Sequence, residues 1–145
     1  MSPIESPFIA TTKLPLVAIV GARAGYMQIA PSQITDDHGA VPEQLFIAGQ
    51  HWASFLQTQE NVAKIYWLEF SEVVAHLHWH LYPRFSDDIL KGPDAFNARN
   101  HAEHQPEWPL HWQAAVYQWA ERFHVELLDP EHRLLEKASL VTEYI

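Results

Sequence analysis

Apolar and polar positions along this chain change period several times, and each change marks an element. Leu14–Val20 (LPLVAIV) is a short apolar run closed by Gly21, the pattern of a buried strand. After the turn residues Ala24 and Gly25, Tyr26 to Ala30 reads as a second strand stopped by Pro31, and "GARAG" joins the two as a hairpin. "PSQITDDHGAV" is polar and predicts a loop. Pro42 and Glu43 suit the first turn of a helix. Leu45, Ala48, Trp52, Phe55 and Leu56 then recur at helical spacing over about four turns, giving one apolar face, and "QTQEN" closes it. Val62 to Phe70 is rich in β-branched and aromatic residues and predicts a third strand.

Val73 to Tyr82 alternates most clearly. Val73, Ala75, Leu77, Trp79 and Leu81 fall on one face, and His76, His78, His80 and Tyr82 on the other, with Pro83 expected to end the ladder. From Ser86 to Pro109 the pattern weakens into a connection of about two dozen residues, a length that in a compact domain signals function, a partner contact or flexibility. Trp112, Ala115, Val116, Trp119 and Phe123 trace a second helix. "LLDPEH" predicts a third, with Asp129 as N-cap, Pro130 at its first position and Leu134, Leu135, Ala138 and Val141 on its apolar side. Strands with helices on one face predict an α+β fold. There is no internal repeat, and the chain reads as one domain over residues 1–145.

Composition narrows the function. The 145 residues include 48% hydrophobic positions, enough for one buried core. The absence of cysteine excludes disulfides, thiolate metal sites and a cysteine nucleophile. A formal charge of -9 and the lack of any Lys/Arg run argue against nucleic acid and anionic membranes as partners. The first residues do not resemble a signal peptide, and the longest apolar stretch is too short to span a bilayer, so the expectation is a soluble cytoplasmic protein. The five glycines form neither a P-loop nor a Rossmann pattern.

The chemistry concentrates in "HLHWHLYPR", His76 to Arg84. On an extended strand, residues two apart point the same way at steps of roughly 6.5 Å, so three imidazoles are presented in a row. They could decorate the strand. Two of them (His76/His78 or His78/His80) could hold zinc with a further ligand such as Glu69 or Glu72. Or one could attack phosphorus and carry the group as a phosphoramidate, which needs one free nitrogen and a partner fixing the other.

"HLHWHLYPR" resembles the signature of the histidine triad (HIT) family, His-φ-His-φ-His-φ-φ with φ apolar. His76, His78 and His80 fill the His places, and Leu77, Trp79, Leu81 and Tyr82 the apolar ones. The closing Pro83-Arg84 is similar to members that hydrolyse diadenosine polyphosphates, and the upstream strand, helix and strand follow the family's layout, so the resemblance covers about residues 14–90. It implies an antiparallel sheet of about five strands with a long helix, a homodimer, and cleavage at the α-phosphate of a nucleotide or dinucleoside polyphosphate without an obligatory metal or other cofactor. It casts His78 as nucleophile, His80 as α-phosphate contact, and His76 as positioning His78 through its backbone carbonyl and helping to hold charge. Ser71 and Glu72 stand where the family carries Gly and then Gln or Asn, and they join Arg84 as expected substrate contacts. Tyr66 stands near the family's upstream Asn, and "PSQIT" lacks the family's extra His. These departures keep a non-catalytic nucleotide binder open as an alternative. His101 and His104 could clip a metal, with a solvated pair as the plainer reading. "PEWPLHW" could clamp a base or pack the last helices, and Lys91 could meet a phosphate.

Overall fold

The computed structural model describes residues 6–33, 35, 42–101 and 105–135. Five strands and three helices follow the chain: β1 (Leu16–Val20), β2 (Met27–Pro31), α1 (Glu43–Gln57), β3 (Val62–Leu68), β4 (Trp79–Phe85), α2 (Pro93–Asn97), α3 (Leu110–Phe123) and β5 (Val125–Leu128). They form one sheet in the order β3-β4-β2-β1-β5. The fold is α+β, as the patterning implies.

One face of the sheet is the core. Leu16, Ala18, Met27, Ile29, Trp79 and Leu81 point at α1 and α3, whose Leu45, Trp52, Leu56, Trp112, Val116 and Trp119 are buried against them. The helical stripes read from the sequence therefore pack inward. Indole N–H groups anchor the helices to backbone: Trp52 to Gly25 O at 2.9 Å and Trp119 to Ala48 O at 2.7 Å. Trp108 reaches Gly21 O at 2.9 Å, so "PEWPLHW" is packing rather than a clamp. Gly25 is needed where it stands. Its φ is +83°, and a Cβ there would lie 2.9 Å from Leu56 Cδ2.

The sheet departs from the expected all-antiparallel arrangement at one seam. β5 runs parallel to β1, pairing Leu16 with Val125 through Ile19 with Leu128. The segment read as the start of a third helix is this strand and the turn after it. Asp129 caps as expected, but it caps a turn: its Oδ1 accepts from the N–H groups of Glu131 and Arg133 at 2.9 and 3.0 Å. Leu134 then bridges back to Leu128. Ala138 and Val141 lie outside the described residues. The long 86–109 connection carries the short α2.

β4 also differs. It begins at Trp79, six residues later than expected, and runs through Pro83 to Phe85. Proline is tolerated because β2 pairs with β4 only as far as Leu81, so no ladder bond is due on that side of Pro83. Its carbonyl there accepts instead from Arg23 Nε at 3.0 Å. Val73 and Ala75, expected on the apolar face, are exposed. The backbone before Trp79 makes bonds of another kind: Leu77 N–H to Thr35 O at 2.5 Å and His78 N–H to Ser71 Oγ at 3.3 Å. β2 extends one residue further than expected, through Pro31, and Pro42 precedes α1 as its N-cap.

Candidate active site

The other face of the sheet bears the histidines. Alternation along β4 sends His80 and Tyr82 to this side while Trp79 and Leu81 go to the core. Here Phe8 from the N-terminal segment and Phe96 from α2 close over the sheet, and all three imidazoles are buried, between 1% and 8% exposed. Phe8 lies 5.5 Å from the His76 ring and 4.9 Å from that of His78.

The hydrogen bonds settle the tautomers in sequence. His76 Nε2 lies 2.7 Å from Pro31 O, and a carbonyl only accepts, so Nε2 carries the proton. Its Nδ1 must then accept from Ser6 Oγ at 2.5 Å, and Ser6 Oγ in turn accepts from Phe8 N–H at 3.1 Å. Both nitrogens of His76 are engaged. Its backbone carbonyl takes His78 Nδ1–H at 2.7 Å. His78 Nε2 is left with its lone pair, has no hydrogen-bond partner among the described residues, and is not sealed from solvent.

His80 is fixed by a different route. Its Nδ1 lies 2.8 Å from the Tyr26 hydroxyl. The positive Arg99 guanidinium acts on the same hydroxyl, which draws its oxygen towards the charge and turns its proton towards Nδ1. His80 therefore presents Nε2–H. Burial raises the Tyr26 pKa well above the usual phenol value, which keeps that proton in place. Burial also lowers His80 to about 4, with the His78 ring and Arg99 adding to the effect. His76 and His78 are likewise pushed below 6.5 by burial. A backbone bond to Pro31 offsets part of this for His76, and the bond to His76 O together with the charge of Glu69 does so for His78. At neutral pH the site holds neutral imidazoles: one locked at both ends, one with a bare nitrogen, one with an N–H to donate.

Ser71 has φ +52°, in the left-handed region that favours glycine, and its hydroxyl reaches back to the His78 backbone. It therefore joins the site through the backbone of His78. Glu72 is exposed, and the carboxylate whose charge acts on His78 is that of Glu69. Arg84 is on the same face of β4 as His80 but four residues on, roughly 13 Å along the strand. It is buried there, with Nη1 donating to Phe85 O at 3.5 Å. The structure thus brings His76, His78, His80 and Ser71 together and leaves Glu72 and Arg84 apart from them. Lys91 and His101 are exposed, and His104 lies outside the described residues. With His76 engaged twice, no group of three or more His, Asp or Glu side chains placed to hold a metal forms among the described residues.

Two hollows flank His80. Towards β3 lies an apolar groove of 430 Å³ lined by Tyr66, Leu68, Phe70, Pro93 and Phe96 among others; Leu68 pairs directly with His80 across the sheet. Towards β1 lies a polar cleft of 260 Å³ that includes His80, Tyr26 and Arg99. Tyr26, Arg99, Phe96, Ser6 and Phe8 were not singled out from the sequence. Arg99 and Phe96 do sit in the long 86–109 connection, whose length was the available signal. Nothing in the sequence around Ser6 or Phe8 announces a contact some 70 residues away.

No protein-family profile matches this chain, and no curated protein matches it. No helix among the described residues is long and apolar enough to cross a membrane.

Proposed function

We propose that this chain is a nucleotidyl hydrolase or transferase of the histidine triad kind, acting through a covalent intermediate on His78. The observation that carries the reading is the 2.7 Å bond from His78 Nδ1–H to His76 O, which aims a bare Nε2 from an ordered, neutral imidazole. Nε2 attacks the α-phosphorus. The P–N bond forms as the bond to the leaving group breaks, and the leaving group takes the electron pair. Water, or another acceptor, then attacks the same phosphorus. The P–N pair returns to His78 and the acceptor's proton is released. His80 Nε2–H donates to a phosphoryl oxygen, on which charge grows in both steps. His76 contributes its carbonyl, while its ring is held between Ser6 and Pro31. The groove beside β3 has the volume and the aromatic lining suited to a nucleobase, with Phe96 5.0 Å from His80. Trp67 of the outer strand β3, 42% exposed, marks the surface on which a homodimer would form.

The test is AMP release from a dinucleoside polyphosphate and from an adenosine phosphoramidate, using metal-stripped protein beside His78→Ala. Turnover abolished in the variant, with a nucleotidyl adduct trapped on the wild-type chain, is the expected result. Nucleotide binding without turnover in the wild type would instead make the chain a binder.

A further inference from the structure

We propose that the polar cleft on the β1 side of His80 is an anion subsite for the leaving phosphoryl group, so that the substrate is a nucleoside phosphoanhydride rather than a phosphoramidate. The inference rests on the reading of His78 as nucleophile and extends it to the group that departs. The cleft is bounded by Gln28 of β2, His80, Arg99 and Asn100 after α2, Gln105, and His132 of the turn after β5. In a chain with a formal charge of -9, none of the described residues lining this cleft is a carboxylate, and its one full charge is the Arg99 guanidinium.

Arg99 is held as a fixed cation. Its guanidinium lies 4.1 Å over the Phe96 ring, Nη1 donates to Phe96 O at 3.1 Å, and its charge acts on the Tyr26 hydroxyl. Its own carbonyl accepts from the Gln105 side chain. A guanidinium has five N–H donors, so others remain for a ligand. His132 stands opposite with φ +67°, in a turn whose residue 129 carbonyl accepts its N–H at 2.8 Å. That tied turn places His132 in the lining of the cleft.

The chemistry of departure agrees. When an anhydride P–O bond breaks, the leaving phosphate keeps the pair as a stable anion and needs charge stabilisation but no proton. When a P–N bond breaks, the departing amine needs a proton. The cleft supplies cationic and amide donors. His80 is neutral around pH 7, because burial holds it near 4, and a neutral imidazole N–H is a poor acid.

The experiment is calorimetric titration of inorganic pyrophosphate into the whole chain, beside Arg99→Gln and the double variant Arg99→Gln/His132→Asn, each checked by thermal melting for a native fold. The expected result is pyrophosphate binding in the wild type, weakened about tenfold or more in Arg99→Gln and further in the double variant. In parallel, the ratio of kcat/KM for a dinucleoside polyphosphate to that for adenosine phosphoramidate falls in the variants. Absence of pyrophosphate binding by the wild type, or unchanged affinity in folded Arg99→Gln, overturns the subsite even if His78 turns substrate over. Arg99-dependent pyrophosphate binding without any turnover leaves the subsite standing and removes the hydrolase reading.

Discussion

Replacing Tyr26 by Phe tests the arrangement of His80 most directly. The ring remains, and with it the packing against Tyr82 at 5.3 Å and the 6.0 Å stacking on His80; only the hydroxyl is lost. Among the described residues that hydroxyl is the hydrogen-bond partner of His80 Nδ1, and the charge of Arg99 acts on it. A buried acceptor left unpaired costs about 1–3 kcal/mol. For a domain of this size each kcal/mol lowers Tm by about 2–4 °C, so the fall is roughly 2–12 °C. The functional effect is separable. Without the Tyr26 proton, Nδ1 can carry the imidazole proton itself, and Nε2 then ceases to be a donor. With Nε2–H donating to the phosphoryl oxygen, its loss should lower kcat/KM by about tenfold to a hundredfold. Nitrogen-15 spectra of histidine-labelled protein read the tautomer: an unprotonated Nδ1 on His80 in the wild type, and mixed character in Tyr26→Phe. A variant with the wild-type tautomer and wild-type kcat/KM would refute the relay from Arg99 through Tyr26 to His80.

Three further outcomes follow from the same geometry. Gly21→Ala sets a Cβ about 2.5 Å from Tyr26 Cδ2, so the Tyr26 ring must move off His80; it should reproduce the tautomer change of Tyr26→Phe without touching any polar group, and an unaltered His80 signal would count against it. His80 folds with its pKa lowered from 6.5 to about 4, so below pH 6.5 the unfolded chain takes up a proton that the folded chain refuses. Its contribution is intact above pH 6.5 and is lost as pH falls towards 4, by about 2 kcal/mol at pH 5 from this residue alone, with His76 and His78 acting in the same direction; urea unfolding at pH 7.5 and pH 5 measures it, and a flat profile contradicts it. Ser71 combines a left-handed backbone with a useful hydroxyl, so Ser71→Ala, which keeps the strain and loses the bond, should be less stable than Ser71→Gly by about 1 kcal/mol; equal urea midpoints would show that the strain is not real.

How far the sequence can be read depends on the range of the interaction behind each element. The helices were legible because their stripes are local: Leu45, Trp52 and Leu56, like Trp112, Val116 and Trp119, meet on one side by 3.6-residue geometry alone. β5 was not. Four buried residues followed by Asp129-Pro130 look like the approach to a helix, and only the parallel pairing with Leu16 to Ile19, more than a hundred residues away, makes them a strand. The same holds for β4. Alternation from Val73 onwards is real, but a strand needs a neighbour, and β2 offers partners only for Trp79, His80 and Leu81. Pro83 misled for the converse reason, since its missing N–H falls where no strand is present to receive it.

The site divides along the same line. The carbonyl bond from His76 to His78 spans two residues and is what the family resemblance of the triplet implied. What makes that bond effective could not. The bare Nε2 of His78 depends on His76 keeping its place, and His76 is locked by Ser6 and Pro31, 70 and 45 residues away. The donor of His80 depends on Tyr26, 54 residues away, and on Arg99 from the connection after α2. The apparent defect in the motif, a serine where the resembled family carries glycine, becomes intelligible at this level. The backbone at residue 71 takes the left-handed turn that glycine would suit, and the hydroxyl that the side chain adds is spent on the His78 N–H. Glu72, whose charge would oppose a phosphate, is turned to the surface, while the carboxylate acting on His78 belongs to Glu69. The departures from the signature thus leave one imidazole held at both ends, one with a bare nitrogen and one paired with Tyr26, the arrangement that the proposed attack on phosphorus uses, and the residues proposed to select its substrate lie outside the signature, around Arg99.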